Sequence, residues 1–150
     1  VTRDDILERI TAFLAGIGIP VSIAEVEQGF LPGLKVEGGG LVYDPVRLEW
    51  PGDLLHEAGH VAVTAPADRA TAAEVDPEPA QEMASLAWSY AAALAAGIDP
   101  EIVFHEGGYR GGGAQLAATF ATGFGPGVPM LHYYRMTSAY PAMTHWLRPE

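Results

Sequence analysis

The chain has 150 residues, 49% hydrophobic and 18% charged, which fits one folded domain and excludes an intrinsically disordered chain. Its formal net charge is -11, with one lysine, Lys35, and seven arginines; that field repels phosphate backbones and anionic lipid, so neither nucleic acid nor a membrane surface is expected as a partner. It has no cysteine, which excludes disulfides and thiolate metal sites and fits a reducing compartment, so the expected location is the cytoplasm.

The segment Thr2–Glu8 is acidic and amphipathic, without the basic start and unbroken apolar run of a secretory signal. Thr2 is an N-cap residue, and Ile6, Leu7, Ile10, Phe13 and Leu14 recur at helical spacing. A first helix is expected over about 3–15, closed by Gly16. Pro20-Val21-Ser22-Ile23 reads as the start of a short strand. Leu34-Lys35-Val36-Glu37 and Leu41-Val42-Tyr43-Asp44 flank Gly38-Gly39-Gly40, which predicts a β-hairpin. Pro51-Gly52-Asp53 then stops the chain and offers Asp53 as the cap of a helix from Leu54 to about Val63, ended by Pro66.

Asp76-Pro77-Glu78-Pro79 opens a second long helix, about 80–96, that ends at Gly97. It is rich in alanine, carries Met83, Leu86, Trp88, Tyr90 and Leu94, and has no charge after Glu82, so it is expected to be central and largely buried. Asp99-Pro100 begins a short helical turn. Residues 107–113 form a glycine-rich loop around Tyr109-Arg110, and Ala114 to about Thr122 is a short helix ended by Gly123. The aromatic tail, Leu131 to Leu147, is expected to hold one more helix near 137–146. No linker divides the chain, so 1–150 is read as a single domain. Trp50 and Trp88 are expected in the core.

His56-Glu57-Ala58-Gly59-His60 is an HExxH motif. Positions four apart lie one turn apart on one helix face, so two imidazoles there can bind one zinc ion. Glu57 lies next to the first ligand, near enough to act as general base on a metal-bound water. Leu54, Ala58, Gly59, Val61 and Ala62 are uncharged, as a buried metal helix requires. The bland alternative is an ordinary helix whose two histidines fell at this spacing by chance.

Zinc needs a third protein ligand. Val63 and Pro66 stand where the third-histidine version of the motif has glycine and histidine, so a carboxylate from the next stretch is the alternative. Glu82 is favoured, because a lone acid leading into an uncharged, buried helix needs a partner. Glu78 is the second choice and Asp76 the third. The bland reading of Glu82 is that it complements the helix dipole.

With a glutamate on a following helix, this motif resembles the gluzincins, the thermolysin-like metallopeptidases. More narrowly it is similar to the small bacterial ImmA/IrrE-type zincins, which place a short hairpin before the HExxH helix and open a second alanine- and aromatic-rich helix with the glutamate ligand. The likeness covers about residues 30–96. It implies an α+β fold: a compact, mainly helical zincin-like domain with a small β-hairpin or sheet preceding the HExxH helix. It also implies Zn²⁺ as cofactor and a peptide or protein as substrate.

A hydrolase of this class needs a donor for the developing oxyanion. The candidates are His105, Tyr109, His132, Tyr133 and Tyr134, with Tyr109 and His105 preferred as catalytic residues. The glycine loop beside them either approaches something closely or moves. It is not a phosphate-binding loop, since no Gly-Lys-Ser/Thr follows. Asp44 and Asp53 are candidate acceptors behind a ligand imidazole, although a cap is the simpler role for Asp53. His145-Trp146 is read as structural. Two functions compete: a zinc-dependent peptidase, and a metal-binding sensor or interaction module on the same fold.

Overall fold

The computed structural model describes residues 1–27, 31–73 and 78–150. The expected ligand Asp76 lies outside the described residues. The fold is α+β and mainly helical, with a small sheet ahead of the HExxH helix.

Helix α1, Arg3–Ile17, starts in a capping box: Thr2 Oγ accepts from the Asp5 amide, and the Asp5 carboxylate accepts from the Thr2 amide. It buries Leu7, Ile10 and Leu14. The helix runs past the expected stop at Gly16, because Gly18 (φ 96°) is the residue that takes the left-handed conformation and ends it. Strand β1, Val21–Ile23, pairs in parallel with β3, Gly40–Tyr43, and β2, Leu34–Glu37, pairs with β3 antiparallel, so β3 is central. Gly38 and Gly39 carry the two positive φ angles that a two-residue hairpin turn needs.

Helix α2, Asp53–Val63, carries the HExxH motif and packs against β2 and β3. Its N-cap is Gly52 and not Asp53, whose side chain turns away to His105. Pro66 does not end α2 directly; it opens a separate short helix, α3, Pro66–Arg69. The last carbonyls of α2 are covered by the C-terminal tail, where the Arg148 amide donates to Ala62 and its guanidinium to Val63.

Helix α4, Pro79–Ala96, is the central element, as expected. Every residue from Ala84 to Ala93 is buried, and Gly97 in the left-handed conformation ends the helix. Among its expected core residues, Met83 and Leu94 are exposed, because they lie where the helix ends leave the core. Helix α1, α2, the short α5, Pro100–Val103, the helix α6, Gly113–Ala121, and α7, Val128–Tyr133, all pack on it. Trp88 is fully buried, donates its indole N–H to the Trp146 carbonyl, and shares an aromatic cluster with Trp146 and Phe13.

The tail corrects the expected helix over 137–146. The segment holds a hairpin of β4, Thr137–Ala139, and β5, Ala142–Met143, and the helix is α7, before it. Pro141 has no N–H for a helix ladder, and it sits in the turn. Among the described residues no helix is long and apolar enough to cross a membrane.

Candidate metal centre

His56, Glu57 and His60 on α2 each offer one ligand atom within 4.8 Å of the others, a group that can hold a metal ion. Glu82, in the first turn of α4, approaches from the facing helix. Its Oε1 lies 3.5 Å from His56 Nε2 and its Oε2 3.0 Å from His60 Nε2, whereas Glu57 Oε1 lies 3.9 Å from His56 Nε2. One carboxylate thus spans both imidazoles.

Gly59 makes this possible. Glycine inside a helix costs about 1 kcal/mol relative to alanine, so its presence needs a packing reason. A Cβ at Gly59 would sit 2.9 Å from the Ser85 carbonyl oxygen, so α2 and α4 approach as closely as backbones allow. Ser85 is one turn on from Glu82, and that contact brings Glu82 against the histidines. Gly127 seats the start of α7 against the Met83 backbone in the same way.

The electrostatics suit cation binding. Burial, and then the neighbouring His60, push His56 down to about 4, so its imidazole is neutral at physiological pH. The hydrogen bond from His60 holds the Glu82 carboxyl below its ordinary value, against the effect of burial. Burial, and then the carboxylates of Asp53, Glu82 and Glu57, push the Tyr109 phenol up, so it stays protonated.

A cleft of about 430 Å³ opens over the site. Leu31, Pro32, Glu49, Trp50 and Tyr109 line it, and His56 and Glu82 reach into it. Tyr109 is half-buried, with its hydroxyl 3.5 Å from His56 Nδ1. His105 also lines the cleft; it donates from Nε2 to Asp53 Oδ1 at 2.7 Å and stacks on Trp50 with ring centroids 4.2 Å apart. Burial pushes the Asp53 carboxyl up, against the effect of His105.

The other sequence candidates lie elsewhere. His132 and Tyr133 are exposed, and Tyr134 is buried beneath the Arg148 guanidinium; none of the three lines the cleft. Glu78 is exposed at the N-cap of α4. Asp44 does not stand behind a ligand histidine: its carboxylate accepts from the Val26 and Val46 amides and from Arg47, and so fixes the turn after β3. Trp50 is not core but cleft wall, because its ring faces His105 and Gly107. Composition alone held no signal for that placement. Gly59 did carry one, as a glycine in the middle of an apolar helix.

No family model, no curated protein and no solved structure matches this chain.

Proposed function

We propose that the chain is a zincin-like, zinc-dependent peptidase that holds its metal on His56, His60 and Glu82. The observation that carries this reading is the Glu82 carboxylate, which lies within 3.5 Å of Nε2 of both HExxH histidines. The donor set fits a divalent ion: a neutral imidazole at His56, an ionised carboxylate at Glu82, and nitrogen and oxygen donors that suit zinc and its neighbours. Between the two carboxylates, Glu82 is the better third ligand, because it spans both rings while Glu57 lies farther out. That leaves Glu57 to move a proton.

A divalent ion on such ligands supplies a Lewis acid and lowers the pKa of a water it binds. The chain's own residues do the rest. Glu57 takes the proton of the attacking water and passes it to the leaving amine. The neutral Tyr109 phenol offers a donor at the cleft for the oxyanion. Leu31, Pro32 and Trp50 present apolar surface to a peptide or protein substrate.

The cleft volume of about 430 Å³ also favours a second reading, a metal-binding sensor or interaction module without turnover, since it lies toward the small end of ligand sites. Protein purified without added metal is expected to hold about one equivalent of zinc after washing; a metal-free product overturns the metal assignment. On a broad peptide library, Glu57→Gln is expected to abolish cleavage while retaining zinc. Equal behaviour of wild type and variant removes the peptidase reading and leaves the second. Glu82→Ala is expected to weaken zinc binding far more than Glu78→Ala, measured by chelator competition, and the reverse order refutes Glu82 as ligand.

A further inference from the structure

The HExxH helix is tied to the glycine-rich loop at one point. Asp53 is the first residue of α2, one turn before His56, and its carboxylate makes no capping bond to its own helix. Instead it accepts a 2.7 Å hydrogen bond from His105, with both side chains at least nine-tenths buried. The His105 ring lies flat on Trp50, at an interplanar angle of 5°. Its Nδ1 is shielded and has no partner among the described residues, so neither ring nitrogen is presented to the cleft.

The loop that follows His105 has no slack at its ends. A Cβ at Gly107 would come within 2.7 Å of the Trp50 ring, and one at Gly113 would collide with the Phe104 carbonyl. Between these seats Tyr109 adopts φ 58°, a left-handed conformation that a bulky aromatic residue rarely takes without an imposed reason. That conformation lays the phenol edge-on to His56, with its oxygen 3.5 Å from Nδ1, the long limit of a hydrogen bond. His56 Nε2 faces the Glu82 carboxylate, so Nδ1 carries the proton when Nε2 binds a metal.

We propose that Asp53 and His105, backed by Trp50, are positioning residues that latch the glycine-rich loop to the metal helix and so hold the Tyr109 hydroxyl as the hydrogen-bond acceptor behind His56. The second half rests on the reading of His56 as a ligand. An acceptor on the far nitrogen of a ligand histidine fixes the ring and raises its basicity, an effect usually worth 10–100-fold in metal affinity. The Tyr109 O–H proton stays free to point into the cleft.

Two measurements test this, and they fail separately. Amide hydrogen exchange on the metal-free protein reads the latch. Asp53→Asn and His105→Ala are each expected to speed exchange across 105–113 by about tenfold or more, with 84–93 of α4 unchanged. Unchanged exchange in the loop overturns the latch, as does a uniform rise over the whole chain in both variants. Competition titration with Co²⁺ reads the metal side. Tyr109→Phe and Asp53→Asn are each expected to weaken Co²⁺ about tenfold, and the double variant no more than either alone, because both act through one contact. Losses that multiply in the double variant refute the shared path. A wild type that takes up no Co²⁺ refutes the metal reading itself, and the exchange result still decides the latch.

Discussion

The cleft has two walls that are built in opposite ways. One is the pair α2 and α4, where His56, His60 and Glu82 project from regular helices pressed together at Gly59. The other is the loop from His105 to Gly113, with a single 3₁₀ turn over Tyr109–Gly111, held by the buried Asp53–His105 pair, the His105–Trp50 stack and the packing of Tyr109 on Phe104. Helical period alone sets the spacing of the first wall's histidines. The second wall has no period; its phenol packs on Phe104 and His105, and His105 in turn is held by Trp50 and Asp53. On the proposed reading, ligand geometry belongs to the helical wall, and adjustment of that geometry belongs to the other.

The largest expected effect separates the walls by metal affinity. His60→Ala removes a proposed ligand, and chelator competition is expected to show a loss beyond the roughly 100-fold that outer contacts reach. A loss under about tenfold would place the ion off the helices and erase the division.

Acid treatment of the metal-free protein is the next test, because the histidine–carboxylate cluster and the Asp53 carboxyl that holds the loop respond with opposite signs. His56 is held at about 4 against an ordinary 6.5, so between those values the unfolded chain binds a proton that the folded chain does not. Stability from this group is complete above pH 6.5 and is lost as pH falls toward about 4. Glu82, also depressed, adds loss of the same sign at lower pH. Asp53 is raised, so the folded state gains its proton first and acidification favours folding there. Urea midpoints followed across this window are expected to fall with pH. The fall should be shallower in His56→Phe and steeper in Asp53→Asn. Identical slopes in all three would show that neither the His56 cluster nor the Asp53–His105 pair controls the acid response.

The same division explains what could be read from the sequence. HExxH places two histidines on one helical face, and a lone Glu82 before an uncharged run marks its own need for a partner. The capping box at Thr2, the Gly38–Gly39 turn and the αL glycine at 97 are likewise local signals, and each appears in the fold. The errors that moved a helix stop are local, as at Gly16; the larger ones are nonlocal. Asp53 satisfies every local rule for a cap, yet a histidine 52 residues away takes its carboxylate. Asp44 looked free to support a ligand, but the turn it closes uses both oxygens. The aromatic tail suggested one more helix over 137–146, while Pro141 and pairing between Thr137 and Met143 made a hairpin. Trp50 reads as core from its side chain alone, and only the arrival of the 105–107 segment turns it into a wall.

The smallest effects come from glycine, and they sharpen the contrast most directly. Gly59→Ala puts a methyl 2.9 Å from a backbone oxygen that is fixed in the middle of α4. The helices must part, and overpacking of this kind costs about 1–3 kcal/mol, more than the helix propensity gained. Parting them also draws Glu82 away from His60, so metal affinity should fall with stability. Gly108→Ala is the control on the other wall. Gly108 has φ -127° and ψ -176°, an extended conformation open to any residue, and its added Cβ would meet only the His105 ring at 3.5 Å, an ordinary contact. The expected stability change is within about 0.5 kcal/mol, with metal affinity unchanged. Urea unfolding of the metal-free variants measures the first quantity and Co²⁺ titration the second. Equal costs at the two positions would mean that the α2–α4 seam yields as easily as the loop, and that close packing does not hold Glu82 in place.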